Sequence, residues 1–454
     1  MPSRVTTVFA CQSCGSASPK WLGRCPECGE WNSYVEEVRG QPVSPSEAVL
    51  SVPIGVAAEE SGARVGTGMA GLDRVLGGGL VAGSVVLLGG EPGIGKSTFL
   101  LQAARSLAAR TGEVLYATAE ESAAQVRMRG ERLGIREETL LLIAETDVTR
   151  VVAVAERGSP ALLIVDSIQA VREPALSSAA GTVSQVRECA SVLLRYAKGR
   201  GVPVILIGHV TKDGSLAGPR SLEHLVDTVV TLEGERTSLR RVLRATKNRF
   251  GAVDELALYD MTGEGLAEIT NPSAALLAER RQGLPGSAVT ATREGSRCLL
   301  VEIQALVGPA TAGSPRRVAI GVDAGRLALL LAVLEGAGLS LASREVFVSC
   351  AGGLQTAEPA SDLAVVAALV SSARGRPVPA DVVCFGEIGL LGEIRRVPAA
   401  GSRLKEAAAM GFRTVYLPAG DAAEAARFQD LMIRPVDRVA DFVRDLSQDA
   451  ENRA

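Results

Sequence analysis

The stretch Gly90-Glu91-Pro92-Gly93-Ile94-Gly95-Lys96-Ser97 decides the reading of this chain. It is a complete G-x-x-x-x-G-K-[ST] phosphate loop in the right setting. The apolar run Ser84–Leu88 precedes it as a predicted strand, and the helix-forming run Thr98–Arg105 follows. A polyphosphate needs backbone N–H groups that converge on it without Cβ crowding, and glycine permits that turn. The start of the helix adds partial positive charge. Residues Gly90 to Thr98 are therefore read as an ATP cradle. Lys96 reaches the outer phosphates, and the Ser97 hydroxyl binds Mg²⁺.

Hydrolysis also needs a magnesium-organising acid and a group that orients water. The run Ala161-Leu162-Leu163-Ile164-Val165 ends in Asp166, a carboxylate at the C-terminal end of a buried strand. Glu120 and Glu121 follow the predicted strand Val114–Ala117. Glu120 is closer to the strand and is read as the carboxylate that polarises water, with Glu121 the alternate. His209 closes the strand Val204–Gly208, as a γ-phosphate sensor or as a core histidine. From Arg236 to Arg249 there are six basic residues and no acid. Arg236, Arg240 and Arg241 fit a solvated strand edge. Lys247 and Arg249, at a turn closed by Gly251, fit cations that reach a phosphate across a subunit boundary.

Four of the eight cysteines fall in the first 28 residues, as Cys11-x₂-Cys14 and, ten residues on, Cys25-x₂-Cys28. Two residues between cysteines let both sulfurs meet one ion from a tight knuckle, and Gly15 and Gly29 suit that turn. A closed set of four soft thiolates selects Zn²⁺ and is structural. Trp21 and Trp31 are expected to cover this small ribbon, or alternatively to stack on a nucleotide base. The remaining cysteines read as buried thiols.

At 454 residues the chain exceeds one ordinary core, and the net charge of −3 gives no overall basicity toward nucleic acid. No apolar run approaches the roughly 20 residues needed to span a membrane. Met1–Ala10 holds no signal-peptide core, which reads as cytoplasmic. The expected organisation is a zinc ribbon over 1–37, a linker over 38–62 and an ATPase domain over 63–270. A second linker over 271–285, a second α/β unit over 286–447 and a polar tail over 448–454 follow. Strands alternating with helices in the ATPase region predict an α/β fold with a largely parallel central sheet.

Five features coincide: the Cys₄ ribbon, the Gly-rich stretch Thr67–Gly79, the phosphate loop, Glu120-Glu121-Ser122, and Lys247-Asn248-Arg249-Phe250-Gly251. In them the chain closely resembles the bacterial RadA/Sms family, recombination and repair ATPases of the RecA/DnaB-like class. The resemblance implies a RecA-like, ring-forming ATPase, usually hexameric. It would bind single-stranded and branched DNA and drive branch migration alongside the RecA recombinase. It places the Lys247–Gly251 motif at the ATP-bearing subunit interface. It also turns two loops, Gln169–Gln185 and Thr211–Arg220, toward a central channel. Lys212 and Arg220 are then the candidate DNA contacts, with Arg187 a further one; phosphate contacts of that kind are salt-sensitive and blind to sequence.

The C-terminal region resembles the proteolytic domain of Lon proteases through Gly386–Ile394. Asp362 stands where that family has its nucleophilic Ser, and Gly401 where it has its Lys. Ser361 is one residue off, about 100° around a helix, and Lys405 is four residues beyond. The resemblance implies a retained fold without the dyad, serving ring assembly and an outer DNA surface. Arg316, Arg317, Arg344, Arg395 and Arg396 are candidate contacts there. The competing readings are a Lon-like ATP-dependent protease and a KaiC-like regulatory ATPase, which shares the Leu72–Gly79 region.

Overall fold

The structure, a computed structural model, describes residues 6–39, 64–208, 221–234, 239–253, 255–310, 314–353, 356 and 358–452. The chain divides into two compact units, residues 1–268 and 269–454.

The first unit opens with a three-stranded antiparallel ribbon of Thr6–Cys11, Ala17–Ser18 and Tyr34–Arg39. Its main body is a nine-stranded sheet. The strand order is Gly265–Glu268, Leu256–Thr262, Arg240–Asn248, Thr228–Glu233, Val85–Gly90, Val204–Ile207, Leu162–Asp166, Val114–Thr118, Leu140–Ala144. From Thr228–Glu233 onward every pairing is parallel. The strands Val85–Gly90, Val114–Thr118, Leu162–Asp166 and Val204–Ile207 are buried along their whole length. This explains their unbroken apolar runs: helices cover both faces, so nothing selects for alternation. One core holds Val86, Leu88 and Phe99; the other, across the sheet, holds Val85, Leu87 and Leu193.

The sheet is largely parallel, as expected; only the pairings among the first four strands of that order are antiparallel. The strand Arg240–Asn248 was expected at an edge. It lies instead between two neighbours, because Leu256–Thr262 and Gly265–Glu268 extend the sheet beyond it.

In the second unit a seven-stranded mixed sheet runs Arg317–Ile320, Arg344–Cys350, Arg297–Ala310, Ser287–Glu294, Val382–Cys384, Thr414–Pro418, Met432–Val436. Leu300, Val289 and Ala291 pack with Leu404 and Ala407 of the helix Ala400–Ala409, and with Leu277. The alternate residues Leu299, Val301 and Ile303 are buried toward the opposite face. There the helix Asp362–Arg374 packs, with Ala324–Gly336 beside it. This α/β arrangement is consistent with the Lon-type resemblance.

Two boundaries shift. Part of the stretch expected as a linker, 271–285, is the helix Pro272–Leu277, capped by Asn271, whose carboxamide oxygen accepts from Ala274 N at 3.0 Å. Ser273 Oγ is buried and accepts from Leu300 N at 3.0 Å. The expected tail is also helical as far as Asn452. Tyr416 donates to Asp449 there, which gives the last turns a fixed partner.

Candidate nucleotide and metal sites

The parallel strands end together, and their C-terminal ends gather the nucleotide site. Val85–Gly90 runs into the phosphate loop, and the helix Lys96–Thr111 begins directly after Gly95. Gly93 (φ +81°) and Gly95 (φ +115°) have left-handed backbones. A Cβ on Gly95 would strike Met261 at 2.7 Å, while one on Gly93 would meet nothing within 4 Å. The loop is thus packed from behind and open in front, as a phosphate cradle must be.

Lys96 is buried, and its Nζ donates to the carbonyls of Gly90 at 2.8 Å and Glu91 at 2.9 Å. Burial holds its pKa below the usual lysine value, opposed by the charges of Asp166 and Glu120. Asp166 is also buried. Desolvation raises its pKa, against hydrogen bonds from Tyr116 and Ser97. The Tyr116 hydroxyl donates to Asp166 Oδ2 at 2.6 Å. Ser167, the next residue, donates its hydroxyl to Glu120 Oε1. Lys96, Ser97, Glu120 and Asp166 therefore form one cluster. Glu121 leaves it: its carboxylate pairs with Arg129 at 2.7 Å.

Lys247 and Arg249 lie elsewhere. Lys247 pairs with Val229, and Val229 with Leu87. The Lys247 ammonium donates to the carbonyls of Glu223 at 2.5 Å and Val226 at 2.7 Å. Burial and the neighbouring Arg249 lower its pKa, against Asp227 and Glu223. Arg249 pairs with the buried Asp227 at 3.2 Å, and the other Asp227 oxygen accepts from Val85 N at 3.0 Å. Five residues of strand, about 17 Å, separate Val85 from Gly90. Gly251 approaches Gly77 so closely that a Cβ would sit 3.0 Å from its Cα.

Of the arginines read as a solvated edge, Arg241 is buried, and its Nε donates to the phosphate-loop carbonyl of Ile94 at 3.1 Å. That is a correction. The strand is interior, and its first residues stand beside the loop. Arg240 is 3.9 Å from Asp260. Arg236, His209, Lys212, Arg220 and residues 40–62 of the expected linker lie outside the described residues, while Val38 and Arg39 belong to the strand Tyr34–Arg39. Arg187 is exposed on the first turns of the helix Val183–Arg200, close to Gly15 of the ribbon. The loop before it wraps the buried Gln185, whose Nε2 donates to Ser178 O at 2.9 Å and whose Oε1 accepts from Glu173 N at 2.7 Å.

At the ribbon, the four sulfurs of Cys11, Cys14, Cys25 and Cys28 lie within 4.8 Å of one another. Gly15 N donates to Cys11 O at 2.8 Å and Gly29 N to Cys25 O at 2.9 Å, closing two matching knuckles with φ +75° and +76°. Thiolates about 2.3 Å from one ion would have this spacing, so the donor set fits a tetrahedral Zn²⁺. The tryptophans do not cover it. Trp21 is 52% and Trp31 67% exposed, because Tyr34, Phe9, Leu22 and the cysteines already fill the small core.

In the second unit Ser361 is buried, and its hydroxyl donates to Glu358 O at 2.9 Å. Asp362 pairs with Arg326 and accepts from Ile388 N at 2.9 Å. The Gly401 backbone N–H donates to Glu424 Oε1 at 2.9 Å. The candidate arginines are all engaged. Arg316 holds Glu345, Arg395 holds Glu393, and Arg396 holds Asp421; Arg317 and Arg344 donate to carbonyls.

Phosphate loop, acid-tipped strand and cysteine quartet together define a P-loop ATPase with an N-terminal metal ribbon. Two family models agree, an AAA domain over residues 65–215 and a rubredoxin metal binding domain over 9–36. The chain belongs to the RadA DNA repair protein family. It is 49% identical to DNA repair protein RadA of Pseudomonas aeruginosa, covering 93% of this chain and 95% of the relative. Against RadA of Bacillus subtilis it is 46% identical, covering 97% and 99%, and against that of Escherichia coli 46%, covering 92% and 94%. Solved structures resembling it include the RadB recombinase (24% identity, TM-score 0.37, 45% of this chain and 98% of that one). A KaiC-like protein from Pyrococcus horikoshii is similar at 22% identity and TM-score 0.37, over 46% and 99%. Among the described residues no helix is long and apolar enough to cross a membrane.

Proposed function

We propose that the chain is a cytoplasmic, ATP-driven motor. It would move along single-stranded DNA and branched recombination intermediates as a hexameric ring, working beside the RecA recombinase. The observation that carries the reading is the separation of the two halves of the ATP machinery. Lys96, Ser97, Glu120 and Asp166 cluster at one end of the sheet, while Lys247 and Arg249 are held at the other. Their own nucleotide is out of reach, so they act on a neighbour's.

Bound Mg·ATP would supply a γ-phosphoryl group for transfer to water. Lys96 would exchange its carbonyl partners for phosphate oxygens. Ser97 and Asp166 would hold the magnesium, Tyr116 and Ser167 would orient the two carboxylates, and Glu120 would take the water's proton. Among the described residues of the second unit, Ser361 is buried and its hydroxyl is given to a backbone carbonyl, which supports reading the unit as an assembly domain without peptidase activity.

The test is a mixed-subunit assay of ATP turnover with and without single-stranded DNA. Lys96→Ala and Arg249→Ala should each be inactive alone. A mixture should regain a fraction of wild-type, DNA-stimulated turnover, because intact half-sites meet at some interfaces. No recovery in a mixture that co-assembles would refute action across subunits. Turnover indifferent to DNA would favour a regulatory ATPase.

A further inference from the structure

Trp21 and Trp31 are the chain's two tryptophans, and neither belongs to the core of the ribbon that carries them. Both rings are more than half exposed. They are nonetheless held in place. The Trp21 indole Nε1 donates to Tyr34 O at 3.1 Å, and Gly23 lies against the ring, where a Cβ would come 3.7 Å from Cη2. Asn32 N donates to Gly23 O at 2.8 Å, so Trp31 stands on the backbone next to the one that supports Trp21. Arg24 and Trp31 form a short antiparallel bridge. The Arg24 Nε donates to Gly29 O at 3.0 Å, and its guanidinium lies 5.7 Å from the centre of the Trp31 ring. An exposed aromatic fixed by its own polar handle offers a ready face to a flat partner.

The place of these rings in the fold narrows what that partner is. Tyr34 and Glu36 belong to the strand Tyr34–Arg39, which pairs with Thr6–Cys11 on one side only. Carbonyls two residues apart on a strand point the same way, about 7 Å from each other. Tyr34 O takes the Trp21 indole, and Glu36 O takes the Ser177 hydroxyl at 2.8 Å. Trp21 thus adjoins the loop that begins directly after Asp166 and Ser167 of the nucleotide site. A second contact joins the ribbon to the end of that loop, where Gly15 lies against Val183 and Arg187.

The local charge points the same way. Lys20, Arg24 and Arg187 are exposed, and among the described residues nothing pairs with the Lys20 ammonium or the Arg187 guanidinium. Glu27 and Glu30, exposed at the second knuckle, offset part of this charge. Phosphates alone are therefore held weakly here, and the ring faces must supply the attraction. Two fixed rings with cations at hand suit a polyanion whose flat groups are free to stack. In a duplex the base faces are occupied by their neighbours; in a single strand they are open.

We propose that Trp21 and Trp31, with Arg24, form a stacking platform for the unpaired bases of single-stranded nucleic acid, beside the loop over 169–182. This rests on the single-stranded DNA reading above and names where bases of that strand sit.

The test uses the full chain and its tryptophan emission, which reports on this face alone because the chain has no other tryptophan. Unlabelled oligothymidylate should quench the emission, and an abasic strand of equal length and charge should not. Binding itself is followed separately, by the anisotropy of a dye-labelled oligothymidylate. Trp31→Ala and Trp21→Ala should each weaken it by about fivefold to a hundredfold, the range for losing one base stack, with bound zinc per chain unchanged. Trp21→Phe keeps a ring without the N–H and should bind like the wild type. Binding as weak as that of Trp21→Ala would assign Trp21 to the ribbon's own structure and overturn its part in the platform. An oligonucleotide that binds without quenching, equal quenching by the abasic strand, or wild-type affinity in both alanine variants overturns the platform and leaves the motor standing. Quenching by a proline-rich peptide and not by the oligonucleotide gives the face to a protein and overturns it as well. Unchanged anisotropy with the wild type removes both readings.

Discussion

Tyr116→Phe removes one oxygen atom and tests how the magnesium-organising carboxylate is held. The hydroxyl donates to Asp166 Oδ2 at 2.6 Å, and both residues are buried. A hydrogen bond to a buried charged group contributes about 1.5–3 kcal/mol. The sign with pH follows from the direction of the Asp166 shift, which burial already raises. A carboxyl raised in the folded state favours folding below its unfolded pKa, and that contribution is lost as pH rises through the folded value. Without Tyr116 the folded pKa rises further, so the destabilisation should be full at neutral pH and shrink in acid. Urea unfolding at pH 7 and pH 4.5 reads the first effect. The acid limb of ATP turnover should also move to higher pH, read as a kcat profile under saturating Mg·ATP. Equal stability at pH 7 together with an unmoved acid limb would refute the proposed support of Asp166.

Other outcomes follow from the same geometry. Glu120→Gln should lower kcat by about 10²–10⁴-fold with ATP affinity retained, whereas Glu121→Gln should cost less than about tenfold; the reverse order in steady-state kinetics would move the water-activating role to Glu121. Lys96→Ala should abolish turnover, and wild-type rates in that variant would contradict the site. Arg241→Ala should raise the KM for ATP more than it lowers kcat, because the side chain supports Ile94 of the loop; a pure kcat effect would argue for direct contact with the reacting phosphate. Chelation, or Cys25→Ser, should release about one Zn²⁺ per chain and unfold the ribbon, and metal analysis showing none in the native protein would end that assignment.

What could be read from the sequence was local. The phosphate loop, the acid after Val165 and the cysteine knuckles each need only fixed spacing along the chain. Tyr116 could have been noticed as a hydroxyl in an apolar strand. Its partner depends on Thr118 standing beside Asp166, a register no local pattern announces. Gln185 and Asp227 are ordinary polar residues until the fold buries them. Arg241 reads from the sequence as solvated because a charge next to a strand usually faces water, but two further strands extend the sheet beyond its own and it is buried. The tryptophans depart from expectation for the opposite reason: their apolar bulk suggests a lid, but the cluster around Tyr34 has no room for it.

One carboxylate, Asp227, grips both the root of its own phosphate-loop strand and the arginine directed outward. In a closed assembly, a tug on Arg249 from the adjoining nucleotide would be felt at Val85. Firing in one compartment would then bias the next, and the subunits would discharge in turn around the circle.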